Sequence, residues 1–259
     1  FSRRMSETLR ELHVAGKELY QVEPFLGKLI EIHEHFAEGG SPADLKAGTD
    51  LCIVYAAERN ATAALINFYR VSVRGTFEET VDAVKRFARA DARRFLLRDR
   101  MRAGAIVEVL RQRGAHYIEA GQIHYPLWQE LKGRLPTDYP LTVRFLMADA
   151  VREMGYRGNL YGPGDLLTLL YLFHPNRNTQ EDDQLAARAL IYNKMIIKEE
   201  IVEALDPYPH TRDELEIASA VRNLSLEDCR HLFDLICLAS TETARDVVCH
   251  YLKNKLVLN

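Results

Sequence analysis

One histidine, two acids and a set of arginines carry the chemistry this sequence offers. His124 closes Gly121-Gln122-Ile123-His124, inside the stretch HYIEAGQIHYPLW, where a partly apolar run ends and Pro126 follows. An imidazole changes charge near neutral pH, so at such a point it suits a general base or a metal ligand. Gly121 gives the backbone freedom to turn and to approach a ligand closely, and Tyr125 stands beside the same turn. Glu23 ends the run ELYQVE directly before Pro24, which forces an extended exit. A carboxylate there can serve as base or ligand beside His124. Arg98-Asp99-Arg100 places two guanidiniums around an acid, a set able to bind an anion or to orient a catalytic group. Each residue also has a plainer reading. His124 suits a loop histidine bonded to the backbone, Glu23 a helix cap, and Arg98-Asp99-Arg100 a surface of ion pairs. Glu23 and His124 are the candidates for a divalent metal. His33 and His35 are two apart on a helix and face apart, the wrong spacing for a two-histidine grip.

The elements around these residues read as an α/β layer. Helical spacing runs over 2–15, 25–37 and 51–69. Thr76 to Glu79 has the form of a capping box ahead of a further helix, with Phe77, Val81, Val84 and Phe87 as its apolar stripe. Another helix is expected from about Asp91 to Gln112. Strands are expected at about 18–22, 115–120 and 140–147. Because a βαβ unit needs a strand before its first helix, the first strand is expected upstream of Phe1. Beyond Gly155 the texture changes, and successive helices are expected at 165–173, 181–204, 211–221, 225–238 and 241–256. The resulting expectation is a small, mostly parallel sheet flanked by helices over 1–157, followed by an all-helical region over 158–259. In this scheme Glu23 and His124 end neighbouring parallel strands on one edge, where α/β proteins build their sites.

Composition narrows the function classes. The chain has 259 residues, 47% of them hydrophobic and 27% charged, which is ordinary globular composition. A formal net charge of -3 gives no global pull toward nucleic acid or anionic lipid. The basic stretch Lys85, Arg86, Arg89, Arg93, Arg94 and Arg102 is flanked by acids and reads as a solvated face. No apolar run reaches the length of a membrane span, and no signal peptide is visible. Cys52, Cys229, Cys237 and Cys249 form no CxxC pair and read as buried thiols of a reducing, cytoplasmic compartment.

Three of these motifs, taken in order, resemble the superfamily that joins the TraB, Tiki, erythromycin-esterase and ChaN-like proteins, the ChaN-like members most closely. QVEPF is similar to its second strand, which ends in an acid, here Glu23. RDRMRAGAI is similar to its RD..MA..I helix at Arg98, Asp99, Ala103 and Ile106, with Arg102 where that family has Met. AGQIHY is similar to its second GxxH motif at Gly121 and His124. The resemblance covers roughly residues 1–147, and the family's first motif would fall before Phe1. Its members include metal-dependent proteases, hydrolytic esterases and haem binders. It implies a hydrolase, metal-dependent or assisted by His124 and Glu23, acting on a small molecule or peptide. Arg98, Asp99, Arg100, Gly121 and Tyr125 would then contact the substrate or an anion. The alternative is a binding or interaction protein on the same scaffold, taking a small-molecule, haem-like or protein ligand. The helical C-terminal region, with an acidic face at Glu199, Glu200 and Glu203, would be its contact surface, and a homo-oligomer fits that reading.

Overall fold

The computed structural model describes residues 2–110, 114–157, 161–201 and 206–257. About 70% of these are helical, and none is in a strand. The helices are α1 (Ser2–Val14), α2 (Pro24–Ala37), α3 (Asp50–Arg74), α4 (Phe77–Leu110), α5 (Tyr125–Arg134), α6 (Ala148–Glu153), α7 (Pro163–Phe173), α8 (Gln180–Met195), α9 (Pro209–Arg222), α10 (Leu226–Ile236) and α11 (Thr241–Val257).

The expected sheet is therefore corrected. Residues 18–22, 115–120 and 140–147 are irregular backbone, and most of their apolar side chains face solvent. A strand satisfies its backbone only through a neighbour, and no two of these runs pair. A short, partly apolar run shows that a segment can be half-buried; it does not supply a strand partner. Glu23 accordingly starts a helix and does not end a strand. His124 likewise stands at the N-cap of α5, with Pro126 in that helix's first turn.

Helix α4 is the spine. It is 34 residues long, about 51 Å at 1.5 Å per residue. The two helices expected on either side of residue 91 are this single element. Its start is the expected capping box: the Thr76 N–H donates to Glu79, and the Glu79 N–H donates to Thr76 Oγ1 at 3.3 Å. An unbroken seam at i, i+3 and i+4 follows: Phe77, Val81, Val84, Ala88, Ala92, Phe95, Asp99, Ala103, Ile106 and Leu110. All but Phe95 are buried. Asp99 is the one charged residue on that stripe.

Three apolar clusters lie along α4. The first half of the helix joins the main core, where Phe77, Val81, Val84, Ala88 and Ala92 pack with Leu167, Tyr171, Ile191, Leu232 and Val248 from the C-terminal helices. That core is continuous across residue 157. Further along, Leu97 and Met101 pack on Phe25 and Ile32 of α2 and Val54 of α3. At the far end, Ala103, Ile106 and Leu110 meet Leu127 and Leu131 of α5, with Val22 against them. Burying each large aliphatic side chain contributes about 1.5–3 kcal/mol, so α4 is held along its whole length.

The expected helix ends at Gln112 and at 204, and Glu203, lie outside the described residues. Residues 196–201 are not helical, so the expected acidic helix face at Glu199 and Glu200 is not formed. The cysteine expectation is also corrected: Cys229 is buried, Cys52 and Cys237 are partly so, and Cys249 is exposed. Among the described residues no helix is long and apolar enough to cross a membrane.

Candidate functional site

The cationic and acidic residues of α4 are tied to different neighbours. Arg94 bonds both oxygens of Glu58 on α3 and Oδ1 of Asp91 one turn back. Arg98 and Arg102, one turn apart, converge on Glu23. Arg98 Nε and Nη2 donate to its carboxylate at 3.1 and 2.6 Å, and Arg102 Nη2 donates to the same Oε2. Lys85 reaches Asp183 at 2.5 Å, and Arg89 donates to the Arg177 carbonyl. The basic stretch is thus largely a set of ties to neighbouring elements, with Arg86 and Arg93 left on the exposed side.

Asp99 faces another way. Its side chain is fully buried, and its Oδ1 lies 2.6 Å from His124 Nδ1. The His124 side chain is 9% exposed. The edge of the Phe95 ring, one turn back on α4, packs against the imidazole at 4.9 Å between centroids. The turn that carries His124 is closed by its own N–H donating to the Gly121 carbonyl at 2.9 Å, and Tyr161 Oη donates to the Gln122 carbonyl. Two polar atoms here are buried without a hydrogen-bond partner: Asp99 Oδ2 and Arg102 Nε.

The residues expected to form a site are only partly brought together. Asp99 and His124 are bonded, and Glu23 and Arg98 are bonded, through adjacent residues of one helical turn. Arg100 points elsewhere: its side chain is exposed and 3.6 Å from Glu130 on α5. Gly121 does not have the left-handed conformation that favours glycine, and a Cβ there would meet only His124 Cδ2 at an ordinary 3.6 Å. Its bend is a turn open to other residues. Tyr125 stacks with Trp128 and Phe173, at 5.3 and 5.8 Å between centroids, and is part of the packing of α5 on α7. Phe95, Arg102 and Tyr161 belong to the site and were not chosen from the sequence as its members. A signal for Phe95 was present, since Asp91, Phe95 and Asp99 follow one another at i+4.

Burial pushes the Glu23 carboxyl up, but the Arg98 and Arg102 guanidiniums outweigh it, and the group is held below the usual carboxylate range. Arg98 is raised, chiefly by its bond to Glu23. Two turns from Asp99, burial pushes Asp91 up, with Arg94 opposing. Burial also raises Asp165 at the start of α7, against the Gly162 N–H that donates to it, and the charge of Asp91 adds to the rise.

The donor set does not fit a metal. Among the described residues no group of three or more His, Cys, Asp or Glu side chains could hold an ion. Glu23 is taken by two guanidiniums, and His124 Nδ1 is taken by Asp99. A broad groove of about 2130 Å³ opens beside Glu23, lined by Val22, Arg102, Ile106, Leu110, Ile118 and Leu127 among others. It exceeds the few hundred to about 1,000 Å³ of an ordinary ligand pocket and is an open trough.

Among the described residues, fold and site together define a helical protein in which the buried Asp99 of α4 is paired with His124 at the N-cap of α5. Over 237 residues the chain is 32% identical to an uncharacterised protein of Archaeoglobus fulgidus, covering 90% of this chain and 76% of that one. It belongs to the same family as that archaeal protein. No protein-family model matches the chain, and no solved structure does.

Proposed function

We propose that the chain is a hydrolase in which His124 activates water and Asp99 holds the imidazole. The supporting observation is the 2.6 Å contact between Asp99 Oδ1 and His124 Nδ1, made by a carboxyl group with no exposure. A carboxylate on Nδ1 fixes the tautomer whose Nε2 accepts a proton, the arrangement general-base catalysis uses. In the proposed step Nε2 takes a proton from water as the oxygen attacks the carbonyl carbon of an ester or amide. The bond to the leaving group then breaks, and Nε2 returns the proton to it. Arg98 and Arg102 carry one positive charge more than Glu23 cancels, and that charge favours the negative oxygen of the intermediate. Glu23 is a positioning residue, since two guanidiniums make its carboxylate a weak base. This reading keeps the reaction class that the family resemblance implied and drops its sheet.

The test is hydrolysis of short-chain p-nitrophenyl esters and of a dipeptide amide by the parent and by His124→Asn. Asparagine retains an N–H donor for Asp99 but no base. The expected result is a loss in kcat/KM of at least about 100-fold with the fold retained by circular dichroism. Unchanged turnover in His124→Asn removes His124 from the mechanism, and no turnover by the parent removes the hydrolase reading.

A further inference from the structure

We propose that Asp165, Glu214 and the hydroxyl of Tyr192 form a binding site for a primary ammonium group, of the kind carried by amines and polyamines. Three helices bring these residues together. Tyr192 lies on α8, and its ring fits against the backbone of Gly162, the N-cap of α7. A Cβ at Gly162 would stand 2.9 Å from the ring's Cε1 and 3.4 Å from its hydroxyl oxygen. Gly162 has an ordinary φ of -67°, so glycine serves there for space and not for conformation. The Gly162 N–H donates to Asp165 Oδ2 at 3.3 Å, so the carboxyl and the hydroxyl meet around one glycine.

Glu214 arrives from α9. Arg245 of α11 donates to the Met195 carbonyl at the end of α8 and to both oxygens of Asp213 at 2.7 Å. That tie holds the Asp213–Glu214 turn of α9 against the last turn of α8, which carries Tyr192. Among the charges acting on Tyr192, that of Glu214 is the strongest, followed by Asp165. Asp165 has an exposed side, and Glu214 is half-buried. His210, one turn before Glu214 on the same face of α9, lines the broad groove. The cluster is therefore open to solvent.

The neighbouring charges are answered within the fold, and these two are not. Asp213 is held by Arg245, and Asp91, whose charge reaches Asp165, is bonded by Arg94. His210 Nε2 accepts the Ile201 N–H at 3.0 Å, so that nitrogen carries no proton. Among the described residues neither Asp165 nor Glu214 has an ion pair. Tyr192 supplies a second, separate sign of a ligand. It is 7% exposed, yet its hydroxyl has no hydrogen-bond partner among the described residues. A polar group buried to that extent normally has one.

Two carboxylates and a phenol oxygen offer three acceptors, one for each N–H of a primary ammonium. Burial, and then the charges of Glu214, Asp165 and Asp213, push the Tyr192 hydroxyl up, so it keeps its proton and donates it to a carboxylate. Burial raises both carboxyls, and the Asp165 charge raises Glu214 further, against the pull of His210. A bound cation relieves that repulsion. A metal ion does not suit the cluster: among the described residues no group of three or more His, Cys, Asp or Glu side chains could hold one.

Isothermal titration of the purified chain with putrescine at constant ionic strength reads the affinity, independently of any hydrolysis by His124. The expected result is saturable binding of one putrescine per chain. The fully N-methylated analogue has the same charge and no N–H, and it should bind at least about tenfold more weakly. Asp165→Asn and Glu214→Gln should each weaken putrescine at least about tenfold. Tyr192→Phe, which keeps the ring against Gly162, should weaken it about three- to tenfold. Circular dichroism checks each fold, and should one variant unfold, the other two carry the test. No saturable binding by the parent overturns the proposal. So does binding that the substitutions leave unchanged, or binding of the methylated analogue as tight as that of putrescine. Magnesium chloride that binds where putrescine does not, and is lost in the same variants, assigns the cluster to a metal and also overturns it.

Discussion

Replacing His124 by alanine should be expensive for stability, and the size of the cost follows from Asp99. The Asp99 side chain has no exposure, its Oδ1 has His124 Nδ1 at 2.6 Å, and its Oδ2 has no partner. His124→Ala therefore leaves a carboxyl group buried with neither oxygen paired. Removing one member of a buried, hydrogen-bonded pair costs about 3–5 kcal/mol. In a chain of this size each kcal/mol moves Tm by about 2–4 °C, so Tm should fall by about 6–20 °C. The diagnostic step is the double variant. Adding Asp99→Asn to His124→Ala removes the stranded acid, so its effect on that background should be smaller than on the parent by at least about 1–2 kcal/mol. Urea unfolding of the four proteins, followed at 222 nm, gives the cycle directly. A Tm for His124→Ala within about 2 °C of the parent, or strict additivity in the cycle, refutes the reasoning.

Other outcomes follow from the charges on and around α4. Glu23 is held below the usual carboxylate range by Arg98 and Arg102, after the opposing push of burial. The folded chain therefore binds fewer protons there than the unfolded one just below the ordinary value of about 4.3. The stabilisation is full above that value and is lost as pH falls through the folded pKa. Glu23→Gln should thus lower stability at pH 7 by about 1–3 kcal/mol, with the gap to the parent closing in acid, as read by urea midpoints across pH. Asp165 is shifted the other way, by burial and then by Asp91, so its ionisation opposes folding as pH rises through the shifted range. Asp165→Asn keeps an acceptor for the Gly162 N–H and removes the charge. It should raise stability at pH 7 by up to about 1 kcal/mol, and a loss of stability in that variant contradicts the sign.

Helices were legible where an apolar row and a start signal coincide. Thr76 with Glu79 opens α4, and Ser225 with Asp228 opens α10 where the spacing placed them. The expected sheet came from short, partly apolar runs such as ELYQVE and the stretch ending at His124, each stopping at a Pro or Gly, and such a run carries no information about a strand partner. The joining of two expected helices into α4 follows from Asp91 lying inside a continuous helix, buried and bonded by Arg94, where it read as a helix start. For the site, motif order gathered Glu23, His124 and Arg98-Asp99 at one expected sheet edge, whereas the structure pairs Glu23 with Arg98 and His124 with Asp99 through helices. The sharper signal was local: a carboxylate on an otherwise apolar seam between Phe95 and Ala103 needs a polar partner in the core. What Arg102 binds was not legible, because the convergence of two arginines on Glu23 depends on where α2 begins in space.

The proposed hydrolysis requires His124 to present Nε2 as a base while Asp99 holds Nδ1, and long-range ¹H–¹⁵N correlation spectra of the imidazole read that directly. The His124 signals are assigned by their loss in His124→Asn. The expected neutral ring carries its proton on Nδ1 and leaves Nε2 bare, and Asp99→Asn should abolish that preference. A neutral His124 with its proton on Nε2, or one whose tautomer is indifferent to Asp99→Asn, contradicts the account.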